Sequence, residues 1–275
     1  MDGRSNGSDA AKRVGVGETE LREILDFAVE IARGAGEITL KYFRRAVATD
    51  RKADGSFVTA ADREAERFLR AEIERRFADD AIVGEEEDER EGSSGRRWII
   101  DPIDGTYSFI HGVPFYGVLV GLEICDEPSV GVVNIPALDE MVSAARGLGA
   151  RWNGETARVS GVEALDEALL LSTDFGMCER YGFGAASREL ERRAGARRTW
   201  GDCYGHLLVA TGRAEIMLDP VMNVWDCAAL LPIVEEAGGT FTDWRGQRTI
   251  RGGNAVSTNG ALLPQTLQII DANRL

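Results

Sequence analysis

The chain has 275 residues, 44% hydrophobic and 28% charged, with a formal net charge of −14 at pH 7. That size suits one large domain or two tightly joined subdomains, and no run of about 18 apolar residues offers a transmembrane helix. The acidic balance argues against a general nucleic-acid binder, and two histidines, His111 and His206, cannot build a three-histidine zinc site.

Residues 1–17 are polar and Gly-rich, lack the apolar stretch of a signal peptide, and read as a frayed tail. Residues 19–46 predict a helix on the spacing of Leu21, Ile24, Leu25, Ala28, Val29 and Ala32, with Gly34 and Gly36 placed to break or kink it. A turn-rich loop, 52–57, precedes a second amphipathic helix from Ala61 to Phe77. Its apolar face is Ala61, Ala65, Phe68, Leu69, Ile73 and Phe77, and Thr59 and Asp62 have the spacing of a capping box. A short strand at Ala81–Val83 runs into Gly84-Glu85-Glu86, a polar loop covers 87–96, and Trp98–Ile100 is a second short strand. Residues 115–124, 129–135 and 140–145 predict an antiparallel meander. Beyond Asn153-Gly154, strands are expected at 168–172, 214–218, 240–243 and 255–258, and helices at 179–194, 203–211, 225–237 and 261–271. The pattern indicates layered α and β rather than a repeated β-α-β unit. The expected units are the tail 1–17, an N-terminal α+β subdomain 18–152 and a C-terminal α/β subdomain 153–275.

Three acidic segments stand at the ends of apolar elements, where solubility alone would not place them. They are Glu85-Glu86, Asp101-Pro102-Ile103-Asp104-Gly105-Thr106, and Trp225-Asp226. Two aspartates three apart around a proline are expected on a stiff turn, facing one point, with an intervening carbonyl as a further oxygen donor. Gly105 lets the next peptide approach an anion, and Thr106 adds a hydroxyl. An enzyme of anionic substrates with this net charge needs cations at its site, and carboxylates favour hard divalent ones. The run Glu87, Asp88, Glu89 and Glu91 reads as a solvated face. Cys125, Cys178, Cys203 and Cys227 lack C-x-x-C spacing and read as idle thiols of a reducing cytoplasm. Trp225 reads as a packing anchor, and His111 and His206 as packed or surface residues. An EF-hand is excluded for want of its D-x-D-x-D-G loop.

These motifs, VTAADREAE (58–66), GEEED (84–88), WIIDPIDGTYSF (98–109) and WDCAALLPIVEEAGG (225–239), resemble those of the inositol monophosphatase family of lithium-sensitive, magnesium-dependent phosphatases. The resemblance spans roughly residues 20–270. It implies a layered α/β/α/β/α sandwich, a cytoplasmic homodimer, and two or three magnesium ions per active site. Glu85, Asp101 and the Ile103 carbonyl would hold the first ion, Asp101, Asp104 and Asp226 the second, and Glu85 with Asp62 a third, weaker one. Thr106, hydrogen-bonded to Asp62, would position or deprotonate the attacking water, with Glu86 a further catalytic candidate. Gly105 and Thr106 would contact the phosphate through backbone N–H groups.

Within the family, residues 198–246 and Ser108 resemble the histidinol-phosphate phosphatase branch. Asp202 and Asp219 would then face the alcohol part of the substrate, with Arg198 orienting one of them. Two carboxylates there suit a cationic amine or imidazolium. Tyr107 departs from the branch, which commonly has lysine at that position. The expected reaction is hydrolysis of L-histidinol phosphate. The alternatives are an inositol 1-phosphate, fructose-1,6-bisphosphate or 3′-phosphonucleotide phosphatase and, more remotely, an inactive ligand-binding regulator.

Overall fold

The computed structural model describes residues 16–45, 49–51 and 57–273. Residues 1–15 of the expected tail and 52–56 of the expected loop lie outside them. Helix α1 (Glu18–Leu40) buries Leu21, Ile24, Ala28 and Ala32, the stripe read from the sequence. It runs through Gly34 and Gly36 without a break. A methyl group on Gly34 would sit 2.6 Å from the Phe68 ring, so close packing retains the glycine and keeps the helix intact. Strands β1 (Thr49–Arg51) and β2 (Phe57–Thr59) form an antiparallel hairpin that leads into α2 (Ala60–Arg76). The expected capping box starts α2: Thr59 N–H donates to Asp62 Oδ2 at 2.8 Å, and Ala61 N–H to Thr59 Oγ1 at 3.1 Å.

The first sheet has the order β3 (Ala81–Gly84), β4 (Arg96–Asp104), β5 (Gly117–Ile124), β6 (Glu127–Ile135), β7 (Glu140–Ala145), β8 (Gly149–Trp152), β9 (Glu155–Thr156). β3 is parallel to β4, and every later pairing is antiparallel, as the meander predicted. Asn153 and Gly154, both at positive φ, form the tight turn between β8 and β9.

The second half comprises β10 (Leu169–Ser172), α3 (Phe175–Arg180), α4 (Gly184–Arg193), β11 (Ala196–Arg198), α5 (Asp202–Ala210), β12 (Ile216–Asp219), α6 (Val224–Cys227), α7 (Leu230–Glu236), β13 (Thr240–Thr242), β14 (Ala255–Thr258) and α8 (Leu263–Ala272). The strands form a sheet of order β11-β10-β12-β14-β13. Two expected helices are divided. Residues 179–194 split where Gly182 takes a φ of 86°. Residues 225–237 split where Pro232 has no N–H to give the Ala228 carbonyl, although Ala228 and Ala229 keep helical angles.

Alternation along the strands produces five layers. Trp98, Ile100, Val118, Val120 and Val132 face α1 and α2. Ile99, Leu119 and Val133 face the opposite way, onto α5 and α7, which in turn cover Leu171, Met217 and Phe241 of the second sheet. Leu170, Ile216, Leu218 and Val256 point outward onto α3, α4 and α8. The order is therefore α/β/α/β/α. Gly121 and Gly131 pair across β5 and β6, and a methyl group on Gly131 would sit 2.0 Å from the Ala229 carbonyl oxygen. The Ala228-Ala229 link thus rests directly on the sheet, with Asp226 just before it.

Candidate active site

At Asp101 the apolar strand β4 loses regular pairing. Asp101 lies opposite Leu119 and Asp104 opposite Gly117, so three steps along β4 meet two along β5. The two aspartates therefore lie on the bulged end of a strand rather than on the expected stiff turn, and the bulge re-aims their side chains. Asp101 Oδ1 accepts the Ile103 N–H at 2.9 Å. Gly105, at φ 81°, turns the chain into a short helix, Thr106–Ile110.

Asp226 arrives from the other side of the sheet, and its Oδ2 accepts the Asn223 N–H at 2.6 Å. One oxygen from each of Asp101, Asp104 and Asp226 lies within 4.8 Å of the others. Asp104 Oδ2 also accepts the Cys203 N–H at 2.5 Å, which ties the first sheet to the start of α5.

A second carboxylate pair adjoins this cluster. Asp202, at φ 52°, opens α5, and buried Asp219 ends β12. Thr173, just after β10, joins them: its Oγ1 accepts the Asp202 N–H at 2.9 Å and donates to Asp219 Oδ2 at 3.0 Å. Ser108 Oγ donates to Asp202 Oδ2 at 3.4 Å. A methyl group on Gly105 would lie 3.0 Å from that same oxygen, so the pair sits directly beside the Asp104–Thr106 bend.

Burial and crowding set the electrostatics. Asp101 is raised well above the usual carboxylate range by burial, then by Glu85, Asp104 and Asp226. Burial, then Asp226, pushes Asp104 up to about 7. Burial likewise pushes Asp226 to about 7, against the Asn223 N–H, which favours its ionised form. Burial, then Asp104, pushes Asp202 to about 7, and burial, then Asp202, holds Asp219 well above its ordinary value. Among the described residues, no arginine or lysine forms an ion pair with any of these five. Asp62, buried and raised to about 6 chiefly by burial, has one oxygen, Oδ1, without a hydrogen-bond partner. An all-oxygen donor set, with no ion pair to an arginine or lysine among the described residues, fits a hard divalent cation.

Some expected contacts are replaced by others. Thr106 Oγ1 donates to the Ile103 carbonyl at 3.0 Å, because the left-handed Gly105 folds the hydroxyl back onto it, whereas Asp62 Oδ2 is engaged by Thr59. The expected Thr106–Asp62 hydrogen bond is therefore not formed. Arg198 does not orient Asp202 or Asp219: exposed on the edge strand β11, it donates to the Arg197 carbonyl at 2.7 Å and lies over the Trp200 ring. That orienting contact comes from Thr173. Glu85 lies outside the three-carboxylate group, although its charge raises Asp62 and Asp101. Glu86 is anchored through its N–H, which donates to Glu66 Oε2 at 2.8 Å.

The remaining polar residues read as packing. Trp225 packs against the core beneath the Asp226 turn. His206 is buried against Ser257 Oγ at 2.7 Å, and burial pushes it down to about 3, so it stays neutral. His111 is exposed and donates to the Tyr107 carbonyl. All four cysteines are free, and burial, then Asp104, raises the Cys203 thiol, which makes it inert. Thr173 escaped the sequence reading. It carries the signal that marked Asp101, a polar residue immediately beyond an apolar strand, but LLLST contains no acid to draw attention.

The profile of the inositol monophosphatase family matches residues 20–274. A histidinol-phosphatase of Chlorobaculum parvum is 48% identical over 244 residues, covering 86% of this chain and 93% of the relative. One of Mycobacterium tuberculosis is 37% identical over 254 residues, covering 90% of this chain and 98% of the relative. The structure of an IMPase from Thermotoga maritima superposes with a TM-score of 0.82 at 32% identity, covering 91% of this chain and 97% of that one. The five-layered fold, the acidic cluster at the end of β4 and these relatives agree: the chain belongs to the inositol monophosphatase family of phosphoric monoester hydrolases.

Proposed function

We propose that the chain is a magnesium-dependent phosphatase that hydrolyses L-histidinol phosphate to L-histidinol and phosphate. The observation that carries the substrate is the Asp202–Thr173–Asp219 arrangement. It sets two carboxylates beside the acidic cluster, and among the described residues no arginine or lysine forms an ion pair with either. A substrate carrying an ammonium and an imidazole would supply the missing positive charge, whereas a neutral polyol would leave two buried acids uncompensated. The identities to histidinol-phosphatases support the same choice.

We assign Glu85, Asp101, Asp104, Asp226 and the Ile103 carbonyl to two magnesium ions, with Asp62 and Glu85 beside a third. Bound there, magnesium supplies the charge that makes water nucleophilic near neutral pH and offsets charge on the phosphoryl oxygens. Thr106 orients the attacking water, and Asp62 or Glu86 receives its proton. The raised Asp62 carboxyl, with an oxygen left unpaired, suits that task. Backbone N–H groups of Gly105 and Thr106 take the phosphate, Ser108 steadies Asp202, and Asp202 and Asp219 hold the cationic end. The enzyme acts as a homodimer on a small phosphorylated metabolite in the cytoplasm, and each chain divides into units 18–152 and 153–275. Among the described residues, no helix is long and apolar enough to cross a membrane.

The test is selectivity. Asp202→Ala and Asp219→Ala are expected to raise KM for L-histidinol phosphate at least ~10-fold, about the loss of one charge-assisted contact, while inositol 1-phosphate hydrolysis changes little. Equal losses on both substrates would remove the argument for a cationic substrate.

A further inference from the structure

Helix α2 carries three ionisable residues four apart on one face: Asp62, Glu66 and Arg70 are all buried. Asp62 feels the charge of Glu85, as above. Glu66, fully buried, faces the acidic loop beyond β3 and is engaged by three donors. Its Oε2 accepts the Glu86 N–H at 2.8 Å, and its Oε1 accepts the Glu87 N–H at 3.0 Å and Arg70 Nε at 2.8 Å. Arg70 Nη2 then donates to the Glu87 carbonyl at 2.8 Å, closing the ring from the other side. The approach is so close that a methyl group on Gly84 would sit 2.1 Å from Glu66 Oε1. Glu85 is thus fastened on its C-terminal side by two backbone N–H bonds into one carboxylate, and on its N-terminal side by β3, whose Gly84 pairs with Ile100 on β4.

We propose that Glu66, braced by Arg70, is a positioning residue for the divalent-metal site: it fixes the Glu85–Glu87 backbone so that the Glu85 carboxylate is presented to the end of β4. This rests on the reading of Glu85 as a metal ligand. Two N–H donors converging on one carboxylate leave that short segment little rotational freedom, so the ligand is ordered before the ion arrives. Without Glu66 the same order would have to be imposed at each binding event. Glu66 touches neither substrate nor reacting atoms, so its effect belongs in metal affinity rather than in the rate at saturating metal.

The experiment titrates Mg2+ calorimetrically into the full chain and its Glu66→Gln, Arg70→Lys and Glu85→Gln variants, and follows amide exchange of Glu86 and Glu87 in EDTA. Glu66→Gln is expected to weaken Mg2+ binding ~10–100-fold, the usual cost of losing a residue that orients a metal ligand. It should speed exchange of both amides while leaving kcat at saturating Mg2+ within about three-fold. Arg70→Lys keeps the charge but loses the fork, and gives a smaller loss in the same direction; it also serves if Glu66→Gln does not fold. Unchanged Mg2+ affinity or unchanged amide protection in Glu66→Gln, while Glu85→Gln binds poorly, would overturn the positioning role alone. Wild-type Mg2+ affinity in Glu85→Gln would instead overturn the assignment of Glu85, and this inference with it.

Discussion

Replacing Asp104 by asparagine is expected to stabilise the metal-free protein and to abolish its activity. One oxygen from each of Asp101, Asp104 and Asp226 falls within 4.8 Å of the others. At an effective dielectric of about 20, two unit charges at that distance repel by about 3 kcal/mol. Asparagine keeps the shape and can still accept the Cys203 N–H, but carries no charge. The sign depends on pH. A carboxyl raised to about 7 contributes stability that is fully present below the unfolded carboxylate range and is lost as pH rises through 7. At pH 5 in EDTA, about one unit above the unfolded carboxylate pKa, the variant should therefore lead wild type by only about 1.5 kcal/mol. At pH 8 in EDTA the variant should be the more stable by about 2–4 kcal/mol, or several degrees. Mg2+ narrows or cancels that lead. Wild type gains about 2.7 kcal/mol at a hundred-fold excess over Kd, a gain the variant largely forfeits, and phosphate release falls by about 10² or more. Thermal melts at both pH values, with and without Mg2+, and a phosphate-release assay test all of this. An asparagine variant that melts lower than wild type at pH 8 in EDTA would show that the three carboxylates do not repel one another, and one that keeps its activity would show that Asp104 is dispensable for the reaction.

Asp104 and Asp226 both stand at about 7, so Mg2+ binding should displace protons. Apparent affinity should climb with pH by about ten-fold per unit for each proton displaced, levelling off above the carboxyl range; a flat profile by calorimetry from pH 6 to 8 would count against the cluster as the binding site. Gly131→Ala forces a methyl group against the Ala229 carbonyl, 2.0 Å away, and should cost about 1–3 kcal/mol or more in chemical denaturation. The same variant should bind Mg2+ less well, since the Ala228-Ala229 link carries Asp226; unchanged affinity would show that Asp226 is placed by other contacts.

The layers and the Asp101–Asp104–Asp226 cluster were largely legible in the sequence. Helical spacing in α1 and α2 and strand alternation in β5–β7 set which faces meet, and acids at the ends of apolar elements mark the site because a core rarely ends in an uncompensated carboxylate. What could not be read depended on distant neighbours. The bulge at Asp101–Asp104 needs the β5 register, which no local pattern encodes. Continuity through Gly34 depends on Phe68 in another helix. Arg198 looked suited to orient an aspartate because it is charged and nearby in sequence, but β11 is an edge strand and leaves it in solvent beside Trp200. Thr173 and Glu66 were overlooked for a related reason. Their importance lies in which backbone N–H groups they meet, and those belong to segments roughly 20 to 30 residues away along the chain.

Phosphate release from the unmodified chain measures the proposed activity itself. The substrates are L-histidinol phosphate, inositol 1-phosphate, fructose-1,6-bisphosphate and a 3′-phosphonucleotide, each in Mg2+ and in EDTA. Release should require Mg2+, with kcat/KM for L-histidinol phosphate at least ~10-fold above the others, the discrimination expected when two buried carboxylates meet a cation. No Mg2+-dependent release from L-histidinol phosphate, alongside good turnover of inositol 1-phosphate, would contradict it.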